Sequence, residues 1–432
     1  MSDAPSRAPR RDRVSSIARH GRLKRSNPLL SLIKGISIVL AVVLVSGGSV
    51  AAIALWDLDR TIQRNSVDIS GNGDGELPEI GEFEGGVNLL LVGSDSGEGD
   101  PQYGVREDEL NDVTMLMHIA EDHSNAVVVS FPRDLIVPIP ECTGEDGTVF
   151  PADDAEAINQ TLSRGGLACV VETVEALTDL DVPYAAEIQF NGVIEMSNAI
   201  GGVPVCVAEP IRDSYTGLSL AAGEHELQGM DALQFLRTRH GVGDGSDLGR
   251  ISNQQVFLSS LVRTVKSSET LSDPAKLYGL ARAAVNNMNL STSLANYDTL
   301  VSIALTLRDI PLESVAFVQY PGTTAGTGIY AGRVQPLQEA ADEMFALIKA
   351  DERFALSPEA ESIGSVADPD ATPVAPAPDA TAAPVDAAPD APAAPTATAT
   401  PGAPATPEVP VLPPSVTGQT AADYTCSDGR KD

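Results

Sequence analysis

Basic residues are scarce through most of this 432-residue chain. Nine of its 28 Lys and Arg fall within the first 34 residues, leaving 19 against 58 Asp and Glu beyond them, a net charge of −39. A surface of that sign repels bare nucleic acid, which excludes a nucleic-acid partner. The four cysteines, Cys142, Cys169, Cys206 and Cys426, form no Cys-x-x-Cys pair, so zinc and dithiol-redox sites are not expected. The acidic stretch Ser70, Asn72, Asp74, Gly75 lacks the ligand that completes a calcium loop, since Gly81 stands where the bidentate Glu is required. Gly93-Ser-Asp-Ser-Gly97 lacks the central Ser of a hydrolase nucleophile elbow and has Asp95 there instead.

One long uncharged run stands out against this acidic background. Gly35 to Trp56 is 22 residues without a charge. At about 1.5 Å per residue it is long enough for a helix to cross a hydrocarbon core of roughly 30 Å. The run is too long for the apolar part of a cleaved signal and ends Ala-Leu-Trp before Asp57, so a retained anchor is expected. The cluster Arg7, Arg10, Arg11, Arg13, Arg19, Arg22, Lys24, Arg25 and Lys34 then places the N-terminus in the cytoplasm and everything after Trp56 outside the cell membrane. Disulfides persist there. Cys142 and Cys169 flank a polar stretch and are the favoured pair; Cys206 with Cys426 follows only by elimination, with free thiols as the alternative.

The chain accordingly divides into a cytoplasmic basic tail (1–34), a transmembrane helix (35–56), an acidic, Gly-rich linker (57–85), a folded extracytoplasmic domain (86–356) and a Pro/Ala/Thr-rich disordered tail (357–432). The last part of that tail, from Thr417, regains complexity and offers Cys426 as a point for docking back. Within the domain, short apolar runs predict strands at Val87–Val92, Thr114–Ile119, Ala126–Ser130, Ala185–Phe190, Val203–Val207 and Ser314–Gln319. Helical patterns fall at Ile158–Leu177, Phe190–Ile200, Gly229–Phe235, Gly249–Val265, Asp273–Asn287, Ala295–Leu307 and Gln335–Lys349. Strands interleaved with helices predict an α/β fold, an α-β-α sandwich around a central mixed sheet.

Three groups of residues carry chemistry. Asp95 ends the first strand and Asp112 precedes the next, so neighbouring strands can bring two carboxylates to one sheet edge, a plausible magnesium pair. In Ser130-Phe-Pro-Arg-Asp134, Pro132 stops a strand and makes the exit of Arg133 rigid. In Phe235-Leu-Arg-Thr-Arg239, Arg237 and Arg239 stand two apart, and a strand would point both to one face. The Gly-rich loop 240–246 leads to Asp247-Leu-Gly-Arg-Ile-Ser-Asn-Gln254, where Arg250 and Gln254 share one helical face. Arginines gathered around apolar strands in so acidic a chain point to an anion pocket, and diphosphate suits their forked geometry.

These segments resemble the LytR-CpsA-Psr family over roughly 87–264. The matching pieces are Leu90–Asp95, Asp112–Leu116, Ser130–Asp134, Ile158-Asn159 with Gly165-Gly166, Ile200–Val203, Leu236–Arg239 and Asp247–Gln254, in that order. The resemblance implies a membrane-anchored phosphotransferase that uses polyprenyl-diphosphate-linked glycopolymer, such as teichoic acid, capsule or arabinogalactan, with Mg2+ as cofactor and peptidoglycan as acceptor. It further implies that Asp95 and Asp112 hold the metal and that Arg133, Arg237, Arg239 and Arg250 clamp the diphosphate. Asp247 and Gln254 match further pocket positions. The prenyl chain would enter the interior between sheet and helices. Asp247 and Asp134 both stay open as acceptor of the hydroxyl proton. The rival expectation is a non-catalytic module that binds or senses prenyl-linked glycan.

Overall fold

The computed structural model describes residues 28–64, 66–69, 85–95, 109–144, 146–267, 270, 273–295, 297–371 and 409–430. Most of the basic tail, the linker from 70 to 84 and the tail from 372 to 408 lie outside the described residues. The chain divides into two units, 1–57 and 58–432.

In the first unit the uncharged run lies inside one helix, Pro28–Arg64 (α1), which is 37 residues long and continues into the second. Its apolar side chains Leu29, Ile36, Val39 and Leu44 are exposed. Among the described residues, no helix is long and apolar enough to cross a membrane. The span expected over 35–56 includes positions whose side chains fall outside that set.

The second unit is built on a mixed sheet. Its strands in chain order are Ser66–Val67 (β1), Val87–Ser94 (β2), Asn111–Ile119 (β3), Ala126–Phe131 (β4) and Tyr184–Ile188 (β5). After Val203–Val207 (β6) and Gly223–Leu227 (β7), which belong to a second sheet, come Met288–Ser291 (β8) and Val315–Gln319 (β9). The helices are Thr161–Thr178 (α2), Phe190–Ile200 (α3), Gly229–Arg237 (α4), Asp247–Lys266 (α5), Pro274–Asn287 (α6), Tyr297–Asp309 (α7) and Gln338–Lys349 (α8).

Period-two alternation in β2 explains the layers: Leu90 and Val92 pack on one face of the sheet and Val87 and Leu89 on the other. The first face is covered by α2 and α8 through Val170, Val174, Met344 and Phe345. The second is covered by α6 and α7 through Val285 and Ile303. Both faces being covered, the strands read as apolar runs, as the sequence suggested. The expected helix from Ile158 begins as a single 3-10 turn, and α2 proper is interrupted at Gly165 and Gly166. A side chain at Gly165 would collide with the Cβ atoms of Cys142 and Cys169, which are joined in a disulfide.

The chain beyond 357 departs from the expected disordered tail. Ser365–Ala367 (β10) and Thr425–Ser427 (β12) join the second sheet, whose order is β7-β6-β12-β10, and Cys206 is bonded to Cys426. Gly418–Thr420 (β11) pairs antiparallel with β9 and completes the central sheet, whose order is β1-β8-β5-β2-β3-β4-β9-β11. Composition hid these strands because they are held by backbone pairing, a disulfide and a few buried side chains such as Leu412, Val416 and Ala421. The start of the linker is likewise ordered, with α1 running to Arg64 and β1 pairing with β8.

Candidate functional site

Of the two aspartates expected at one sheet edge, Asp112 is placed by a bulge. In the β2–β3 ladder Gly93 faces Val113 and Ser94 faces Asn111, so Asp112 is the extra residue between them. A bulge re-aims the side chain it carries. Gly93 is required here, since a Cβ would lie 2.9 Å from that of Val113. Asp95 follows β2 directly; its amide donates to the Leu110 carbonyl at 3.0 Å and its Oδ1 accepts from the Leu110 amide at 2.9 Å. Beneath them, buried Asn111 donates to Ile158 O and Thr114 Oγ1 and accepts from the Leu162 amide, fixing the start of α2 against β3.

Arg133 leaves β4 behind Pro132, as the sequence suggested. Its Nη1 donates to Asp112 Oδ1 at 2.6 Å, and its amide donates to Asp247 Oδ2 at 2.8 Å. Asp247 opens α5 under a Ser246 cap, where a negative charge complements the helix dipole. One turn on, Arg250 brings Nη2 to 2.7 Å from Asp247 Oδ1, a close ion pair, and donates from the same nitrogen to the Asp112 carbonyl at 2.6 Å. Both Asp247 and Arg250 are buried. Burial pushes the Asp247 carboxyl up, against the pull of Arg250 and Arg133. At Asp112 burial also pushes up, but Arg250, Arg133 and Arg237 outweigh it and hold the carboxyl below its usual range.

The expected strand through Phe235–Arg239 is instead the end of α4 and the extended residues after it. Arg237 closes the helix with its guanidinium 4.1 Å over the Phe190 ring, and Arg239 lies beyond, 3.6 Å from Asp134. The amphipathic spacing of Gly229–Phe235 simply continues two residues further than the strand reading allowed. Gln254 Nε2 donates to Leu236 O at 2.9 Å, and Asn253 Nδ2 donates to Phe235 O at 2.7 Å. The glycines of the 240–246 loop also have another task. A Cβ at Gly243 would overlap the Ile363 carbonyl and one at Gly245 would meet Arg430, so they admit the C-terminal segment.

Sequence reasoning missed two side chains. Asp213, buried on the far side of the turn, accepts from Thr238 Oγ1 at 2.7 Å and from the amides of Arg239 and His240 at 3.1 Å each. Arg333 donates to Asp134 Oδ1 at 2.9 Å, making Asp134 the meeting point of Arg133, Arg239 and Arg333. No spacing signal marks either, because each comes from a segment remote in sequence. Arg164 bonds the Pro151 carbonyl and lies 4.0 Å from Asp153.

Asp112, Arg237, Arg250 and Gln254 all border a cavity of about 280 Å³. Its remaining walls are mostly apolar, including Leu91, Met115, Phe190, Leu236, Phe257 and Leu261, with Ser94, Gln189 and Ser197 among them. A larger cavity of about 420 Å³ lies against the second sheet beside Cys206 and is lined by none of the expected metal- or diphosphate-binding residues. An apolar slot bordered by guanidinium groups suits a ligand with an anionic head and an apolar chain. The pair Asp95 and Asp112 offers only hard oxygen donors, which fits Mg2+ held by one or two carboxylates together with substrate phosphate.

The protein is thus an α/β sandwich with an apolar cavity bordered by arginines. The chain belongs to the LytR_cpsA_psr family, which residues 52–349 match. It is similar to the cell wall biosynthesis protein LcpA of Corynebacterium glutamicum, 31% identical over an alignment of 279 positions that covers 58% of this chain and 53% of LcpA. It is also similar to the polyisoprenyl-teichoic acid–peptidoglycan teichoic acid transferase TagT of Bacillus subtilis, 25% identical over 76% of this chain and 97% of TagT. The chain spans about half the length of the two Corynebacterium relatives it matches. Among solved structures, protein gbs0355 of Streptococcus agalactiae shares the fold with a TM-score of 0.51 at 20% identity, over 62% of this chain and 88% of that one.

Proposed function

We propose that the protein transfers a glycopolymer, with its phosphate, from a polyprenyl-diphosphate carrier to a hydroxyl of peptidoglycan. The observation that carries this reading is the apolar cavity bordered by Arg237, Arg250 and Asp112. The prenyl chain lies in the cavity, and the diphosphate lies at its mouth. Arg133, Arg237, Arg239 and Arg250 neutralise charge as the acceptor oxygen bonds to the polymer-side phosphorus and the bond to polyprenyl phosphate breaks. Asp95 and Asp112 would hold Mg2+, which would supply charge neutralisation at the phosphates. Gln254 and Asn253 fix the backbone under Arg237 by bonding the carbonyls of Leu236 and Phe235. The hydroxyl proton goes to Asp134 rather than Asp247, whose side chain is 1% exposed and committed to Arg250 and the Arg133 amide. Helix α1, through 35–56, anchors the chain in the cell membrane with its N-terminus cytoplasmic, which brings the site to the lipid carrier's outer leaflet.

The test is Mg2+-dependent cleavage of a short polyprenyl diphosphate by the full chain in detergent. Asp95→Ala and Arg250→Ala are each expected to reduce turnover by on the order of 100-fold or more, the scale for removing one transition-state charge partner. Tight prenyl diphosphate binding with no turnover in the folded protein would instead make it a non-catalytic binding module.

A further inference from the structure

The strands that return from beyond 409 lie past the family match, which ends at 349, yet they reach the back of the site. Cys426 pairs with Cys206 both in the β6–β12 ladder and through the disulfide. The next residue, Ser427, is fully buried; its hydroxyl donates to Asn253 Oδ1 and its carbonyl accepts from the Ala208 amide at 2.9 Å. Asn253 passes the contact on by donating to Phe235 O, beside Gln254 on Leu236 O. Both carbonyls lie immediately before Arg237.

Residues 428–430 hold the loop that follows. Gly243 donates to the Asp428 carbonyl at 3.1 Å, Arg430 donates to the Gly241 carbonyl at 2.9 Å, and Val242 bridges Gly429. The amide of Asp428 in turn bonds Gly364 O at 3.0 Å, and Gly364 itself packs on the Gly249 carbonyl of α5 with no room for a Cβ. The loop between Arg239 and Asp247 therefore has C-terminal backbone on one side and Asp213 on the other. Gly243 is the place where that approach requires a glycine, since a Cβ there would overlap the Ile363 backbone carbonyl.

We infer that residues 425–430 are a positioning element of the anion site, acting through Ser427 and Asn253 on Phe235–Arg239 and through the backbone of 428–430 on the loop that leads to Asp247. No atom of this element is assigned a contact with ligand. Its effect is to hold Arg237, Arg239 and Arg250 at fixed separations, with Cys206–Cys426 keeping the segment in place against the entropy of the intervening chain. What the positioning serves rests on the diphosphate reading of the site; the positioning itself does not.

Amide hydrogen exchange on the full chain tests it, with Ser427→Ala as the mild variant and Cys206→Ala/Cys426→Ala as the strong one. The amides of Thr238 to Gly243 are expected to exchange roughly five- to tenfold faster in Ser427→Ala, the loss of one buried hydrogen bond, while β2, β3 and β4 keep their rates. Inorganic pyrophosphate binding should weaken by a similar factor. Unchanged exchange at 238–243, or an equal rise across β2–β4, would overturn the inference, and so would altered exchange with pyrophosphate binding intact. If the unaltered chain itself does not bind pyrophosphate, the functional reading fails and the exchange result alone decides the positioning. Should the double variant not fold, Ser427→Ala carries the test.

Discussion

Asp247 and Asp134 both gather arginines, but in opposite surroundings. Asp247 has a side chain 1% exposed and holds Arg250 and the Arg133 amide; Asp134 is 17% exposed and is approached by Arg333 at 2.9 Å, Arg239 at 3.6 Å and Arg133 at 3.8 Å. A buried pair gains strength from the low dielectric, and either partner alone is costly. A partly exposed group is screened more and exchanges partners at lower cost. The inner carboxylate therefore acts as scaffold, fixing Arg250 and the Arg133 backbone. The outer one holds its guanidinium groups more loosely, and under the proposed function it would yield them to an anion of higher charge.

The largest expected effect breaks the inner half of this comparison. Asp247→Ala leaves the Arg250 guanidinium buried without its carboxylate and should lower stability by about 3–5 kcal/mol, read as a fall in the urea midpoint at unchanged slope. A loss below about 1 kcal/mol would mean that Asp247 is no more than a surface partner. Asp213 sharpens the same point one step further out. Burial pushes its carboxyl up, but the Thr238 hydroxyl and the amides of Tyr215, Arg239 and His240 overcome this and hold it below the ordinary aspartate range. A carboxyl depressed in the folded state adds stability that is complete above its unfolded value and is lost as pH falls through the lower folded one. Asp213→Asn should thus cost about 1–3 kcal/mol near neutral pH, with the gap to the parent chain closing only below about pH 4. A gap that does not change with pH would show that the hydrogen bonds do not depend on the charge.

The sequence made the strands legible because both faces of the sheet are covered, so apolar runs such as Val87–Val92 and Ala126–Ser130 stand out from an acidic chain. Arg133 and Arg250 were legible for the same reason: each sits beside a strand stop or a helix start that local residues specify. The carboxylate pair was legible as residues but not as geometry, since the bulge that turns Asp112 depends on the register of β2 against β3. What stayed hidden was set at long range. Phe235–Arg239 is short enough to fit either periodicity, and packing of Phe235 against Phe257 decided for the helix. The strands beyond 357 carry few apolar residues and rely on partners about 60 to 220 residues away, so composition alone reads them as tail.

Arg333 probes the outer half of the comparison and should show the smallest effect on stability. Its side chain is 42% exposed, and one guanidinium nitrogen meets Asp134 Oδ1 at 2.9 Å. Solvent and salt screen such a pair, so Arg333→Ala should change stability by about 0–1 kcal/mol. The backbone contact from the Val334 amide to the Asp134 carbonyl is untouched by the substitution, which keeps the turn in place. Electrostatics at the mouth should nevertheless change. With Arg333 gone, Asp134 turns more fully to Arg239, and one cation fewer faces an incoming anion. Pyrophosphate binding should weaken by roughly two- to fivefold at low salt, and the difference should vanish near 1 M salt, where the screening length falls to about 3 Å. A loss of several kcal/mol in stability, or a binding defect that survives high salt, would show that Asp134 and Arg333 belong to the same rigid scaffold as Asp247 and Arg250.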